Sequence, residues 1–126
     1  SKMKAETEEG ECFGVPGIEF VVPLLLYQMV RGRITQRRLV EATSTRPAEI
    51  LGLKLSQKTR VVWDMQEYRI GHEVPRGISG SKWTPYMDKL AIGKVKAITI
   101  GGQTLVNNGK IVKKLPRVIS KRAELL

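Results

Sequence analysis

The stretch Lys94-Val95-Lys96-Ala97-Ile98-Thr99-Ile100-Gly101-Gly102-Gln103-Thr104-Leu105-Val106-Asn107-Asn108-Gly109-Lys110-Ile111-Val112 decides the second half of the fold. From Lys94 to Ile100 the side chains alternate, with Val95, Ala97 and Thr99 on one side and Lys96, Ile98 and Ile100 on the other, which is the period of a strand. Gly101-Gly102 then supplies two residues that accept positive φ, as a tight hairpin turn requires, and Gln103 to Val106 can return as the partner strand. Asn108-Gly109 repeats the signal ahead of Lys110-Ile111-Val112. Successive hairpins build an antiparallel sheet. Further upstream, Arg60-Val61-Val62-Trp63 and Tyr68-Arg69-Ile70 read as two short strands. The glycine- and proline-bearing residues 71–92 between them and Lys94 read as one long loop.

The first half has a different period. From Ile18 to about Arg31 the chain suits a helix that is apolar almost all round, with Pro23 in the first turn, where its missing N–H costs little. Gly32 stands where a left-handed residue would close such a helix. Thr35 is a candidate cap for a second helix, with Leu39, Val40 and Ala42 on one face. Ser44-Thr45-Arg46-Pro47 reads as a break, after which Pro47 opens a short third helix, Ala48 to Leu51, closed by Gly52. A helix without a polar face must be covered on most sides, a demanding requirement for 126 residues.

That length suits one domain. Its composition, 41% apolar and 27% charged, is that of a globular chain. One cysteine, Cys12, leaves no disulfide within the chain, and one histidine, His72, leaves no site built from several of its imidazoles. No Ser-His-Asp, HxH, CxxC or phosphate-loop pattern can be assembled, so the chain is not expected to complete any chemistry unaided. The longest apolar run, Ile18 to Val30, is too short to span a membrane. Nothing apolar follows Lys2 and Lys4 until Phe13, so no signal peptide is expected and the cytoplasm is the expected compartment.

Several stretches together resemble the C-terminal part of dihydroorotase, one of the cyclic amidohydrolases. Cys12-Phe13-Gly14-Val15-Pro16-Gly17-Ile18-Glu19-Phe20, followed by Pro23-Leu24-Leu25-Leu26, is similar to that family's Phe-Gly-Ile-x-Gly-Leu-Glu segment and its Pro-Leu-Leu helix. Gly32-Arg33-Ile34-Thr35 with Leu39-Val40-Glu41 resembles the next helix. Thr43-Ser44-Thr45-Arg46-Pro47-Ala48 with Gly52-Leu53 is similar to a Ser-x-Asn-Pro-Ala…Phe-Gly-Leu signature, with Arg46 at the usual Asn. Ser81-Lys82-Trp83-Thr84-Pro85-Tyr86 and the hairpins from Gly93 to Lys110 complete the likeness, which covers about residues 12–112. Residues 54–60 depart from it, since Lys54-Leu55-Ser56-Gln57-Lys58-Thr59-Arg60 replaces the usual Gly-x-Asp-Ala-Asp.

The resemblance implies an α+β segment: N-terminal helices from the end of a (β/α)8 barrel, followed by antiparallel strands of the small β-sandwich. Residues 1–17 would be a substrate-proximal loop, 18–53 the closing helices, and 54–126 the sandwich portion with a basic tail. It implies a zinc hydrolase that interconverts N-carbamoyl-L-aspartate and dihydroorotate in pyrimidine biosynthesis. The metal ligands would lie on the N-terminal remainder of the same enzyme, so this segment is expected to hold no metal or catalytic residue and to be inactive alone. Phe13 and Gly14 match the family's substrate-binding pair, where main-chain groups meet the ring and its carboxylate. Glycine suits that role because backbone N–H groups can approach an anion closely. Allantoinase and hydantoinase are the nearest alternatives.

The remaining candidates have plainer readings. Cys12 has no fixed base beside it and reads as a bystander, and His72 as a surface histidine. Trp83 and Tyr86 frame Pro85 and are expected to pack. The net charge of +10 sharpens towards the C-terminus, where Lys110, Lys113, Lys114, Arg117, Lys121 and Arg122 face one acid, Glu124. A basic nucleic-acid-binding module or an assembly module is therefore the rival from another class. No aromatic residue follows Tyr86, so nucleic acid is not the expected partner. Self-association through uncovered apolar helices is an expected second contact.

Overall fold

The computed structural model describes residues 17–71 and 84–114. The order is a 3-10 turn (Ile18–Phe20), α1 (Val21–Val30), α2 (Gln36–Val40), a π-turn (Glu41–Thr45), α3 (Arg46–Leu51), then β1 (Arg60–Arg69), β2 (Leu90–Ile100), β3 (Gln103–Asn107) and β4 (Lys110–Ile111). The strands form one sheet in the order β1-β2-β3-β4. Helices followed by antiparallel strands make this α+β, as the sequence pattern implies. The chain divides into two compact units, Ser1–Lys54 with Met65–Lys94, and Leu55–Asp64 with Val95–Leu126.

In the first unit, Gly17 sets the start of the helical half: its carbonyl accepts the Phe20 N–H at 3.0 Å. Pro23 is the third residue of α1, where no intrahelical donor is needed, and is buried. At the other end Gly32 takes φ +74°. Its N–H reaches the Met29 carbonyl at 2.9 Å and that of Arg33 the Gln28 carbonyl at 3.0 Å, the paired bonds of a Schellman ending. Thr35 caps α2, its Oγ1 accepting the Arg38 N–H at 3.1 Å.

The expected break at Ser44-Thr45-Arg46-Pro47 does not occur, because the helix continues through it as a π-turn. Pro47 lacks an N–H, and its ring would press on the carbonyl four residues back in a regular helix. The wider turn relieves this: the Arg46 N–H donates to the Glu41 carbonyl. The Thr43 and Thr45 hydroxyls donate to the carbonyls of Leu39 and Val40 at 2.8 and 3.3 Å. Gly52, at φ +66°, ends α3 with a second Schellman pair.

The apolar core of this unit is Phe20, Tyr68, Ile70 and Ala91, with Leu24 packed against it. Its strands correct two expectations. The two short stretches around Trp63 and Tyr68 are one ten-residue strand, β1. The expected loop over 71–92 ends early, since β2 already starts at Leu90. Leu90-Ala91-Ile92 does not alternate because Ala91 and Ile92 are both buried (0% and 5% exposed), which hides a strand from a period-two reading. The Ile70 N–H donates to Lys89 O and the Asp88 N–H to Ile70 O, both at 3.0 Å, which ties the loop's end to the end of β1.

The second unit holds the hairpins. Gly101 and Gly102 both have positive φ, as do Asn108 and Gly109, the geometry of type I′ turns. Register runs Ala97↔Asn107, Ile98↔Val106, then Thr99↔Thr104 and Ile100↔Gln103, so Leu105 is an extra residue forming a bulge. Its carbonyl accepts the N–H of Val112 at 2.8 Å. No described residue of this unit is buried, and Val61, Val62, Ile100, Ile111 and Val112 are all more than two-fifths exposed. Among the described residues no helix is long and apolar enough to cross a membrane.

Candidate functional site

The sequence points to Phe13 and Gly14, and both lie outside the described residues, as do Cys12, His72 and Trp83. The described chain resumes three residues after Gly14, at Gly17. Gly17 lies under the ring of Tyr86, so close that a Cβ on residue 17 would sit 2.8 Å from the Tyr86 Cε2. Tyr86 is held by a short turn: its N–H donates to the Thr84 Oγ1 at 3.4 Å, and its carbonyl accepts the Lys89 N–H at 3.0 Å. Thr84 is buried. Phe20, three residues on from Gly17, is anchored in the core. The chain leaving Phe13-Gly14 is thus fastened at Gly17 by a ring above it and at Phe20 by burial. Nothing in the sequence announces this contact, because only the fold brings residues so distant in sequence together; the expectation that Tyr86 packs is correct, but its partner is not legible.

Deeper in the same unit, burial pushes the Tyr68 hydroxyl above its ordinary pKa. The Lys94 ammonium lies 5.3 Å from that ring's centroid, near enough for a cation–π contact. Among the helices an open groove of about 540 Å³ runs along α2, the π-turn and α3, lined by Arg37, Val40, Glu41, Arg46 and Glu49 among others. Arg46 Nη1 pairs with Glu49 Oε2 at 2.8 Å and Arg38 Nη1 with Glu41 Oε2 at 3.4 Å. These pairs are exposed and add little to stability. The groove is not foreseeable from the sequence, because the π-turn that shapes it has the residues of a break.

Among the described residues no three His, Cys, Asp or Glu side chains gather closely enough to hold a metal ion. The donors in the described part of this chain therefore do not fit a zinc centre.

No protein-family model matches the chain. Against curated proteins it is 31% identical over 116 residues to the dihydroorotase of Pyrococcus furiosus, covering 86% of this chain and 28% of that enzyme. It is 31% identical over 101 residues to the multifunctional protein CAD of Squalus acanthias, covering 79% of this chain and 4% of that protein. Among solved structures, the inactive dihydroorotase-like domain of the Chaetomium thermophilum CAD-like multifunctional protein superposes with a TM-score of 0.63 at 25% identity, covering 80% of this chain and 28% of that one. The chain is similar to part of dihydroorotase and of dihydroorotase-like domains. It spans under a third of the length of each of these relatives. The superposition extends over four fifths of this chain, in which helices come first and antiparallel strands after.

Proposed function

We propose that this chain serves as the C-terminal segment of a dihydroorotase, which interconverts N-carbamoyl-L-aspartate and dihydroorotate in pyrimidine biosynthesis. The observation that carries the reading is sequence similarity to dihydroorotases over about four fifths of the chain, joined to a matching fold. In this reading residues 1–17 form the substrate-proximal loop, 18–53 the closing helices, and 54–126 the sandwich portion with its basic tail. Phe13 and Gly14 meet the substrate, and the fastening at Gly17 and Phe20 limits where they can go. Zinc is held by the remainder of the enzyme, which is also this segment's main partner, and the reaction takes place in the cytoplasm. α1 supports that partnership. Its sequence is apolar almost throughout, yet only Pro23 and Leu26 are buried within this chain.

A second reading has its own support. The solved neighbour is described as inactive, so the segment could belong to a dihydroorotase-like scaffold without turnover. A chimera separates the two. The matching segment of the Pyrococcus furiosus dihydroorotase is replaced by this chain, and interconversion, zinc content and folding are measured together. The catalytic reading expects a folded, zinc-loaded chimera that turns over dihydroorotate in preference to allantoin and hydantoin. It further expects Phe13→Ala to lower kcat/KM without loss of zinc. A folded, zinc-loaded chimera without turnover sinks that reading and leaves the scaffold.

A further inference from the structure

Acidic residues are absent between Glu19 and Glu41, and that interval holds Arg31, Arg33, Arg37 and Arg38. The structure gathers them around the turn that joins α1 to α2, and all four are exposed. Two of them are oriented by uncharged groups. The Arg31 guanidinium lies over the Tyr27 ring, 5.1 Å from its centroid, and Arg33 Nη1 donates to Gln28 Oε1 at 2.7 Å. Arg37 lines the groove beside α2 and makes no side-chain hydrogen bond or ion pair with a described residue. Arg38 meets a carboxylate, that of Glu41, only at 3.4 Å and with 68% of its side chain exposed. Guanidinium groups held by neutral neighbours keep their full charge and lose little further freedom when an anion arrives.

The chain carries a complementary element. Glu6, Glu8, Glu9 and Glu11 place a third of its twelve acids in one short run. We propose that the face formed by Arg31, Arg33, Arg37 and Arg38 is the docking surface for this acidic run of the same chain. Its reach is sufficient. The ten residues of α1 are about 15 Å long at the helical rise, and the stretch from Gly17 back to Glu11 can extend about 20 Å. Single exposed ion pairs are weak, but tethering sets the run's local concentration near millimolar, so several weak pairs act together. Docking of this kind draws the stretch between Glu11 and Gly17 along α1, so the proposal concerns the segment without substrate, and it stands or falls separately from the enzymatic reading.

The chain's single cysteine, Cys12, adjoins the run and allows one nitroxide to be placed there on the full chain. At about 0.05 M salt the label should broaden the amide signals of Arg33, Arg37 and Arg38. The broadening should fall several-fold at about 1 M salt, where the screening length is only about 3 Å. Replacing the four acids by Glu6→Gln, Glu8→Gln, Glu9→Gln and Glu11→Gln should have the same effect at low salt. The amide signals of the buried Leu39, Ile70 and Ala91 should keep their native chemical shifts throughout and report an intact fold. Broadening at the three arginines that ignores both salt and the substitutions, or that never appears, overturns the proposal. Broadening that falls instead on Lys110 to Lys114 assigns the acidic run to the basic strand end. Broadening seen only between labelled and unlabelled molecules assigns it to a second copy. Either result also overturns the proposal.

Discussion

Ile70 is the most informative residue to truncate. It is completely buried and belongs to the cluster with Phe20, Tyr68 and Ala91. Ile70→Ala removes three carbons, which at about 0.8 kcal/mol each is about 2.4 kcal/mol of lost transfer energy. The cavity adds to this, about 1 kcal/mol for every 40 Å³ or so that the surroundings fail to fill. Collapse is resisted at this site, because the residue's own N–H and C=O are bonded to the Lys89 carbonyl and the Asp88 N–H, each at 3.0 Å. The backbone cannot slide inwards without breaking one of them. The expected cost is therefore about 3–4 kcal/mol. In urea unfolding followed by circular dichroism, that lowers the midpoint by roughly 1.5–2 M for a slope of about 2 kcal/mol/M. Ile50→Ala is the internal control: the same atoms leave a side chain that is 75% exposed, and the cost should stay below about 0.5 kcal/mol. Equal costs for the two substitutions, or an Ile70→Ala cost below about 1 kcal/mol, would refute the assignment of the core.

Three further outcomes rest on single contacts. Thr35→Ala removes the oxygen that accepts the Arg38 N–H and should cost about 1 kcal/mol in the same assay, while Thr35→Asp should cost little. Gly17→Ala forces a methyl against the Tyr86 ring and should cost about 1–3 kcal/mol; in a Tyr86→Ala background the penalty should nearly vanish, and a penalty unchanged there would show that the ring is not what the methyl meets. Burial raises the Tyr68 pKa, so its neutral form is favoured in the folded state. The stability this contributes is complete below about pH 10, the unfolded value for tyrosine, and is lost as the pH rises from there through the folded value. Tyr68→Phe should flatten that alkaline decline, and an unchanged decline would place its origin elsewhere.

The legible parts of the fold are those written in a few consecutive residues. Gly32, Thr35, Gly52 and Asn108-Gly109 each stand where the sequence pattern puts them, because a left-handed residue, a hydroxyl acceptor or a type I′ turn is a local demand. The illegible parts depend on what lies across from them. β1 carries Asp64, Gln66 and Glu67 in its middle and is exposed along nearly its whole length, so between Trp63 and Tyr68 its sequence shows no apolar run to join the two stretches on either side. Leu90-Ala91-Ile92 fails the same test for the opposite reason, being covered where a half-buried strand would be open. The π-turn escapes notice because Pro47 ordinarily ends a helix, and only the extra residue in the turn lets the helix pass it. The candidate site shows the same division. Phe13 and Gly14 are indicated by resemblance alone, whereas the Gly17–Tyr86 contact that fastens the chain beside them exists only in three dimensions.

The distribution of burial carries a consequence for how the segment must be used. Every buried residue described lies in the first unit, and none lies among the hairpins. A hairpin with no apolar face covered is marginal in water. The same deficit recurs on the helices, where Ile18, Val21, Val30, Ile50 and Leu51 are 47–85% exposed. Isolated apolar side chains on a surface are ordinary, but apolar positions repeated along the helices and along the strands signal surfaces shaped to be covered. A chain with these surfaces gains most from association. The cover should therefore raise the stability of the hairpins and of α1 together, and hydrogen exchange at Val95–Ile100 and Leu24–Met29 should slow in step when this segment is placed within the chimera. Slowing confined to the helix would mean that the strands remain uncovered and that the sheet has some other partner.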